Sequence, residues 1–154
     1  MQATVMAIGK MRFAPYRAAA DEYLGRLRHY LNVREAEFRS EASPKLSEMQ
    51  IRERESRLLM AQVPSSTYLF VLDERGKMMD SVQFSEVIGS LVAQSQDMAF
   101  AIGGAFGHHE CLRGRANLVF GLSPLTFPHE LARVLVYEQI YRAMTILKNE
   151  PYHK

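Results

Sequence analysis

Residues that could bind a ligand or transfer a proton are concentrated in the last third of the chain. A glycine-rich segment, Gly103 to Gly107, directly follows the apolar run from Met98 to Ile102. Glycines placed after a strand let the backbone approach a ligand closely. The spacing is neither the G-x-G-x-x-G dinucleotide fingerprint nor a phosphate-binding P-loop. The segment therefore indicates either a ligand-binding loop or a tight turn between two elements.

A second loop follows the apolar run from Leu118 to Phe120. It consists of Leu122, Ser123, Pro124, Leu125, Thr126 and Phe127. Its backbone groups, in largely apolar surroundings, suit the edge of an adenine-like ring, whereas a plain connecting loop is normally shorter or more polar. Because ligands bind at the carboxyl ends of the strands in an open parallel sheet, the two loops predict one ligand site.

Charged and aromatic side chains follow this second loop. His129 and Arg133 are four residues apart and share one face of a predicted helix, which suits either a site or an ordinary helix start. Glu138 and Arg142 repeat the spacing, and we interpret them as a structural ion pair. The residues from Tyr152 to Lys154 bring together an aromatic ring, an imidazole and an ammonium group. Terminal residues usually fray, but this combination favours a functional role.

His108, His109 and Glu110, beside Cys111, have the residue types of a metal site. Adjacent histidines point apart on any regular element, however, and no second cluster has ligand spacing. The sequence therefore predicts a surface turn here and no metal. No Ser-His-Asp or Cys-His arrangement follows from the spacing either.

Length and composition limit the class of protein. The chain has 154 residues, 47% hydrophobic and 23% charged, which predicts one globular domain over residues 1–154. A single cysteine excludes an internal disulfide and favours a reducing compartment. No run reaches the roughly 18 apolar residues of a membrane span, and the apolar start is too short for a signal peptide, so we expect a cytoplasmic protein. The net charge of +2 permits an RNA partner without requiring one.

The order of apolar patterns predicts alternating strands and helices. We expect strands at 2–8, 33–38, 68–72, 98–102 and 118–120, helices at 15–31, 47–63, 81–94 and 128–148, and a short helical turn at 108–115. Asp73 to Lys77 reads as a turn, and Ser47 and Gln50 have capping-box spacing. The charges of the second helix predict a solvated face: Arg52, Glu53, Arg54, Glu55 and Arg57. The alternation predicts an α/β fold with a mostly parallel sheet and helices on both faces.

The last predicted helix is apolar over a wide arc, formed by Leu131, Val134, Leu135, Val136 and Ile140. Such a helix needs burial on more than one side. We therefore expect a homodimer.

Several motifs together resemble the ribosomal RNA large subunit methyltransferase H family, of the SPOUT superfamily. In the carboxyl third they are Ala-Ile-Gly-Gly-x-x-Gly107, Leu-x-x-Leu-Thr-Phe-Pro-His129, Arg133-Val, Glu-Gln-Ile-Tyr-Arg142-Ala and Pro-Tyr-His153. Val-x-Ala-Ile-Gly-Lys10 and Val-Leu-Asp-x-x-Gly-Lys77 are similar too. The resemblance covers the full length of the chain.

This resemblance implies an α/β protein with a deep trefoil knot near its carboxyl end that acts as a homodimer. It implies methylation of N3 of a pseudouridine in large-subunit (23S) ribosomal RNA, with S-adenosylmethionine as methyl donor and without a metal. Carried over by motif, the donor contacts Leu72, Gly103 and residues 122–127. The mild net charge favours the assembled 70S ribosome over free RNA as substrate.

The resemblance also implies roles for polar residues in the reaction. The pseudouridine N3 must lose a proton, and His153 is the candidate base, with His129 as a rival. Tyr152 suits stacking on a base, and Arg133 and Arg142 suit a phosphate or the developing uracil anion. Two alternatives stay open: methylation of a ribose 2′-oxygen by the same kind of fold, and a non-catalytic ribosome-binding protein that uses a nucleotide-like pocket as a sensor.

Overall fold

A computed structural model describes residues 1–154, which form one five-stranded sheet in the order β2-β1-β4-β3-β5. The strands are β1 (Gln2–Ile8), β2 (Asn32–Phe38), β3 (Tyr68–Met78), β4 (Met98–Ile102) and β5 (Leu118–Gly121). Every neighbouring pair is parallel. The prediction of a parallel sheet is confirmed, and all the strands end at the same edge.

Helices cover both faces of this sheet. They are α1 (Ala14–Leu27), α2 (Glu48–Met60), α3 (Ser81–Ala93), α4 (Glu110–Arg115) and α5 (His129–Leu147). On one face α1, α3 and α5 pack on a core that includes Val5, Phe70 and Phe100. On the other face α2 and α4 pack through Leu59 and Leu112. The predicted covering of both faces is confirmed, and none of the helices combines the length and apolarity needed to cross a membrane.

Two helices begin with a capping box, and the sequence predicted the one at Ser47 and Gln50. At α2 the Gln50 N–H donates to Ser47 Oγ (3.3 Å), and the Ser47 N–H donates to Gln50 Oε1 (2.9 Å). At α3 Asp80 and Gln83 make the same reciprocal pair. These bonds satisfy N–H groups that the first turn leaves unpaired, so both starts match the prediction.

The predicted turn from Asp73 to Lys77 is wrong, because β3 continues through it to Met78. Strand β5 pairs with β3 on both sides of an irregularity: Phe120 lies opposite both Leu72 and Lys77. A methyl group on Gly76 would lie 2.5 Å from the Phe120 carbonyl carbon. Gly76 therefore permits β5 to approach β3 closely. A close approach and a turn both favour glycine, so the sequence pattern alone does not distinguish them.

The loops that follow the strands meet at the carboxyl edge of the sheet. Strand β1 is followed by Gly9, whose φ of +88° is favourable only for glycine. His129, the first residue of α5, lies against it: a Cβ at Gly9 would be 3.4 Å from His129 Nε2. The start of α5 is thus fixed beside the end of β1, next to the loops that follow β3, β4 and β5.

Candidate functional site

A cavity of about 820 Å³ opens at the carboxyl ends of β3, β4 and β5. Both predicted loops line it. Of the predicted cofactor residues, it brings together Leu72, Gly103, Leu122, Ser123, Leu125, Thr126 and Phe127. Pro124 belongs to the same loop but is exposed and does not line the cavity. The size falls within the roughly 300–1,000 Å³ of small-molecule sites.

The loop from 122 to 127 presents unused backbone groups. The Leu125 N–H donates to Ser123 Oγ (3.0 Å), and the Thr126 hydroxyl donates to Glu74 Oε2 (3.2 Å). The N–H groups of Ser123, Thr126 and Phe127 donate no hydrogen bond within the chain. Leu125 is 71% exposed although it is apolar. Free donors beside apolar side chains are the features that fix a flat heterocycle.

The segment from Gly103 to Gly107 forms a tight turn, closed by the bond from the Gly107 N–H to the Gly104 carbonyl (3.1 Å). A Cβ at Gly103 would lie 3.2 Å from His108 Cε1, and one at Gly104 would lie 2.9 Å from Glu55 Oε2. The first two positions therefore have little room for a side chain, so the cavity wall here is bare backbone.

The prediction of a surface turn at His108 is wrong. His108 is only 3% exposed and lines the cavity beneath the glycine turn. Burial lowers the pKa of its imidazole to about 4, despite the nearby Asp73 carboxylate, so the ring is neutral at pH 7. His109 instead caps α4, since its Nδ1 accepts from the Cys111 N–H (3.2 Å). No group of three or more His, Cys, Asp or Glu side chains is arranged to hold a metal ion.

Asp73 is a buried carboxylate on the cavity wall. Burial alone would raise its pKa, but the N–H and guanidinium of Arg75 and the guanidinium of Arg113 lower it to about 2. Arg113 Nη1 lies 3.0 Å from Asp73 Oδ2, and Arg75 Nε lies 3.3 Å from Oδ1. Both arginines are thus engaged with Asp73.

Among the residues predicted to take part in a reaction, only His129 lines this cavity. Arg133 is completely buried one helical turn later. Its Nη2 lies 2.5 Å from Glu35 Oε1 and 2.7 Å from Glu37 Oε1, and its Nη1 donates to the Gly9 carbonyl (3.2 Å). In this placement the guanidinium joins α5 to the ends of β1 and β2, and it positions His129 without facing the cavity.

The other three residues, Arg142, Tyr152 and His153, form a cluster on the α5 surface. The predicted ion pair between Glu138 and Arg142 is confirmed, with Nε 2.9 Å from Oε1. The Tyr152 hydroxyl donates to the same oxygen (3.0 Å), and the Arg142 guanidinium lies 4.7 Å from the ring centroid. His153 Nδ1 is 3.4 Å from Arg142 Nη1. None of these side chains reaches the cavity lining.

The sequence pattern missed two residues near the cavity. Arg52 lines it, and Glu55 is only 2% exposed behind Gly104, although both were predicted to lie on a solvated face. That prediction is confirmed for Glu53 and Arg57, which pair at 2.7 Å. The helical period places Arg52 and Glu55 on one side of α2, but it does not reveal that the glycine turn covers this side.

The fold and the cavity define a class: a parallel α/β protein with a cavity at the carboxyl edge of its sheet, the edge at which open parallel sheets bind their ligands. A family model described as "Predicted SPOUT methyltransferase" matches residues 1–153. Proteins named "Ribosomal RNA large subunit methyltransferase H" are similar over the whole chain. The one from Gemmatimonas aurantiaca is 39% identical over 100% of both chains, and those from Trichlorobacter lovleyi and Geobacter metallireducens are 40% and 41% identical over 99% of both chains. The chain belongs to the SPOUT methyltransferase family and, within it, to the ribosomal RNA large subunit methyltransferase H family.

Proposed function

We propose that this protein is an S-adenosylmethionine-dependent methyltransferase that methylates N3 of a pseudouridine in large-subunit ribosomal RNA, on the assembled ribosome. The names of its full-length relatives support the RNA substrate. The observation that carries the proposal is the cavity at the ends of β3, β4 and β5, where both predicted loops meet.

The cavity residues fit the proposed methyl donor. An adenine edge needs hydrogen-bond partners within an apolar slot, and the free N–H groups of Ser123, Thr126 and Phe127 can supply them. Leu72 and Leu122 provide apolar contacts, while Gly103 leaves room for close approach. When bound, S-adenosylmethionine supplies a methyl group that its sulfonium already activates.

The protein's own contribution to transfer is alignment and removal of one proton. His129 lies at the cavity and is a candidate base. His153 is the other candidate, with Tyr152 to stack on the target base and Arg142 to hold an anionic group. These three lie away from the cavity of their own protomer, so we propose that the partner protomer of a homodimer supplies them.

Support for the dimer comes from α5. Leu131 and Leu135 are only half-buried in the protomer. The other apolar residues of the predicted arc are buried in its core: Val134, Val136 and Ile140. By helical period these leucines share one face of α5 with Glu138 and Arg142, and they leave an apolar strip that a second copy can cover.

We also propose the trefoil knot of this family in the carboxyl third. β3 lies between β4 and β5 in the sheet. The chain therefore crosses β3 on its way from β4 to β5, and the loops that follow these two strands line the same cavity. Such crossovers also occur in unknotted sheets, and a knot additionally requires the chain to pass through a loop. The proposal of a knot therefore rests on the family to which the chain belongs.

Binding and size measurements test this proposal. We expect calorimetric titration with S-adenosylmethionine to show one site per protomer, and light scattering at micromolar concentration to give twice the 17.6 kDa of the chain. A particle of 17.6 kDa would exclude the shared site. Failure to bind the donor would exclude the methyltransferase proposal.

A further inference from the structure

Unpartnered buried polar atoms are concentrated around one wall of the cavity. Five such side-chain atoms occur in the protein: Arg17 Nε, Arg52 Nε, Glu55 Oε2, His108 Nε2 and Arg133 Nε. Three of these residues surround the glycine turn, since Arg52 and His108 line the cavity with it and Glu55 lies against Gly104. Buried polar groups normally have partners, so this wall has the character of a site that a ligand completes.

Arg52 differs from the other arginines near the cavity. Arg75 and Arg113 are paired with Asp73, whereas Arg52 makes no ion pair and no side-chain hydrogen bond. Glu48 and Glu55, four residues before and three after it, are within helical pairing distance, yet neither engages it. The Arg52 Nε is buried without a hydrogen-bond partner. A ligand oxygen can supply that partner, and a carboxylate does so most strongly.

Backbone donors lie on the same wall. The N–H groups of Ala105 and Phe106, in the glycine turn, donate no hydrogen bond within the chain, and both residues line the cavity with Arg52. Free N–H groups next to a guanidinium form a cradle for an oxyanion.

The topology places this cradle at some distance along the sheet edge from the adenine slot. The slot belongs to the loop after β5, the last strand of the sheet. Arg52 enters from α2, which packs through Leu59 on the face that includes Met6, Ile8 and Ala101 of β1 and β4. A ligand with its base in the slot therefore extends across the strand ends toward β4, where Arg52 lies.

We propose that Arg52 binds the α-carboxylate at the amino-acid end of the methyl donor. The inference rests on the proposed function and deepens it by assigning a binding residue to that end. A guanidinium can hold a carboxylate through two parallel hydrogen bonds, and the N–H groups of Ala105 and Phe106 can complete the contact.

Two product-like ligands test the assignment. S-adenosylhomocysteine carries the carboxylate, whereas 5′-methylthioadenosine keeps the nucleoside and thioether but lacks the amino-acid end. We expect Arg52→Gln to weaken S-adenosylhomocysteine binding about tenfold or more and to leave 5′-methylthioadenosine binding unchanged. Arg52→Lys, which keeps the charge but not the planar fork, should fall between wild type and Arg52→Gln. Arg54→Gln is the matched control, because Arg54 is exposed on the same helix and does not line the cavity.

The two ligands distinguish failure of the Arg52 assignment from failure of the proposed function. Unchanged S-adenosylhomocysteine affinity in Arg52→Gln would overturn the inference. An equal loss of both ligands would also overturn it, since Arg52 would then act on the cavity as a whole. If wild-type protein binds neither ligand, the proposed function itself fails. Retained binding of 5′-methylthioadenosine shows in the same experiment that the variant is folded.

Discussion

Arg133 on α5 and Glu35 on the edge strand β2 form a buried ion pair, with Nη2 2.5 Å from Oε1 and the arginine completely buried. The Tyr137 hydroxyl donates to the same Glu35 oxygen (2.6 Å). Burial and this carboxylate both raise the pKa of Tyr137. The pair therefore fixes α5 across the end of the sheet.

We expect Arg133→Ala to destabilise the protein by about 3 kcal/mol or more, because it leaves two carboxylates without their buried cation. Denaturant unfolding measures the change. Arg57→Ala provides the control: its partner Glu53 lies at a similar distance, 2.7 Å, but on an exposed helix face, and exposed pairs contribute little. If Arg133→Ala retains wild-type stability and loses only methyl transfer, Arg133 belongs to the reaction site instead.

The buried His108 predicts a pH dependence of stability. Burial lowers the pKa of its imidazole from 6.5 to about 4, so the unfolded chain takes up this proton before the folded protein does. Stability is therefore lost as the pH falls from 6.5 to 4, by up to about 3 kcal/mol from this group.

The pH dependence is measured by comparing urea unfolding of wild type and His108→Leu across that range. The variant lacks the titrating ring, so its stability should decline less steeply than that of wild type. Carboxylates titrate in both proteins, which is why the difference between the two slopes is the informative quantity. Equal slopes would mean that His108 is solvated in the folded protein.

Much of this architecture could be predicted from local patterns. Continuous apolar runs such as Met98 to Ile102 mark strands covered on both faces, and the capping box at Ser47 and Gln50 marks a helix start. Both depend on neighbours in the sequence, so a period or a spacing is sufficient to find them. The two glycine-bearing loops could be placed at one site for a similar reason, since parallel strands all end at one edge.

Other features depend on contacts between distant residues, and the sequence pattern could not reveal them. Gly76 resembles a turn residue until Phe120 of β5 is placed beside it. His108 and Glu55 resemble surface residues until the glycine turn covers them. Arg133 has the spacing of a site residue, but its carboxylate partners lie 96 and 98 positions away in the chain.

A branched side chain at Gly103 tests where the donor binds. We expect Gly103→Val to weaken S-adenosylmethionine binding about 100-fold or more, because its side chain crowds the Gly107 backbone and the His108 ring and so displaces the turn that lines the cavity. Gly114→Val is the control, since a Cβ at Gly114 has no neighbour within 4 Å. A folded Gly103→Val protein with unchanged donor affinity would locate the donor elsewhere.

Removal of residues 152–154 tests the role of Tyr152 and His153. The Tyr152 hydroxyl bonds Glu138 and its ring packs on Tyr141, with centroids 4.8 Å apart. We therefore expect a stability cost of about 1–2 kcal/mol, unchanged donor affinity, and methyl transfer reduced by about 100-fold or more. Thermal melting, calorimetry and transfer to 70S particles measure the three quantities.

His153→Ala separates the two effects of that truncation. The His153 side chain is exposed, so its loss should leave the melting temperature unchanged while still lowering turnover. Wild-type turnover in the truncated protein would show that these residues serve only packing. A large drop in melting temperature on truncation, together with wild-type turnover in His153→Ala, would also show that residues 152–154 serve only packing.

The most direct test is methyl transfer to ribosomes that lack the modification. Purified protein is incubated with isotopically labelled S-adenosylmethionine and 70S particles from cells without this protein, and the RNA is analysed by nucleoside mass spectrometry. We predict one labelled methyl group per particle, on N3 of a pseudouridine in the large-subunit RNA. Label on a ribose 2′-oxygen, or no label from a protein that binds the donor, would contradict the account.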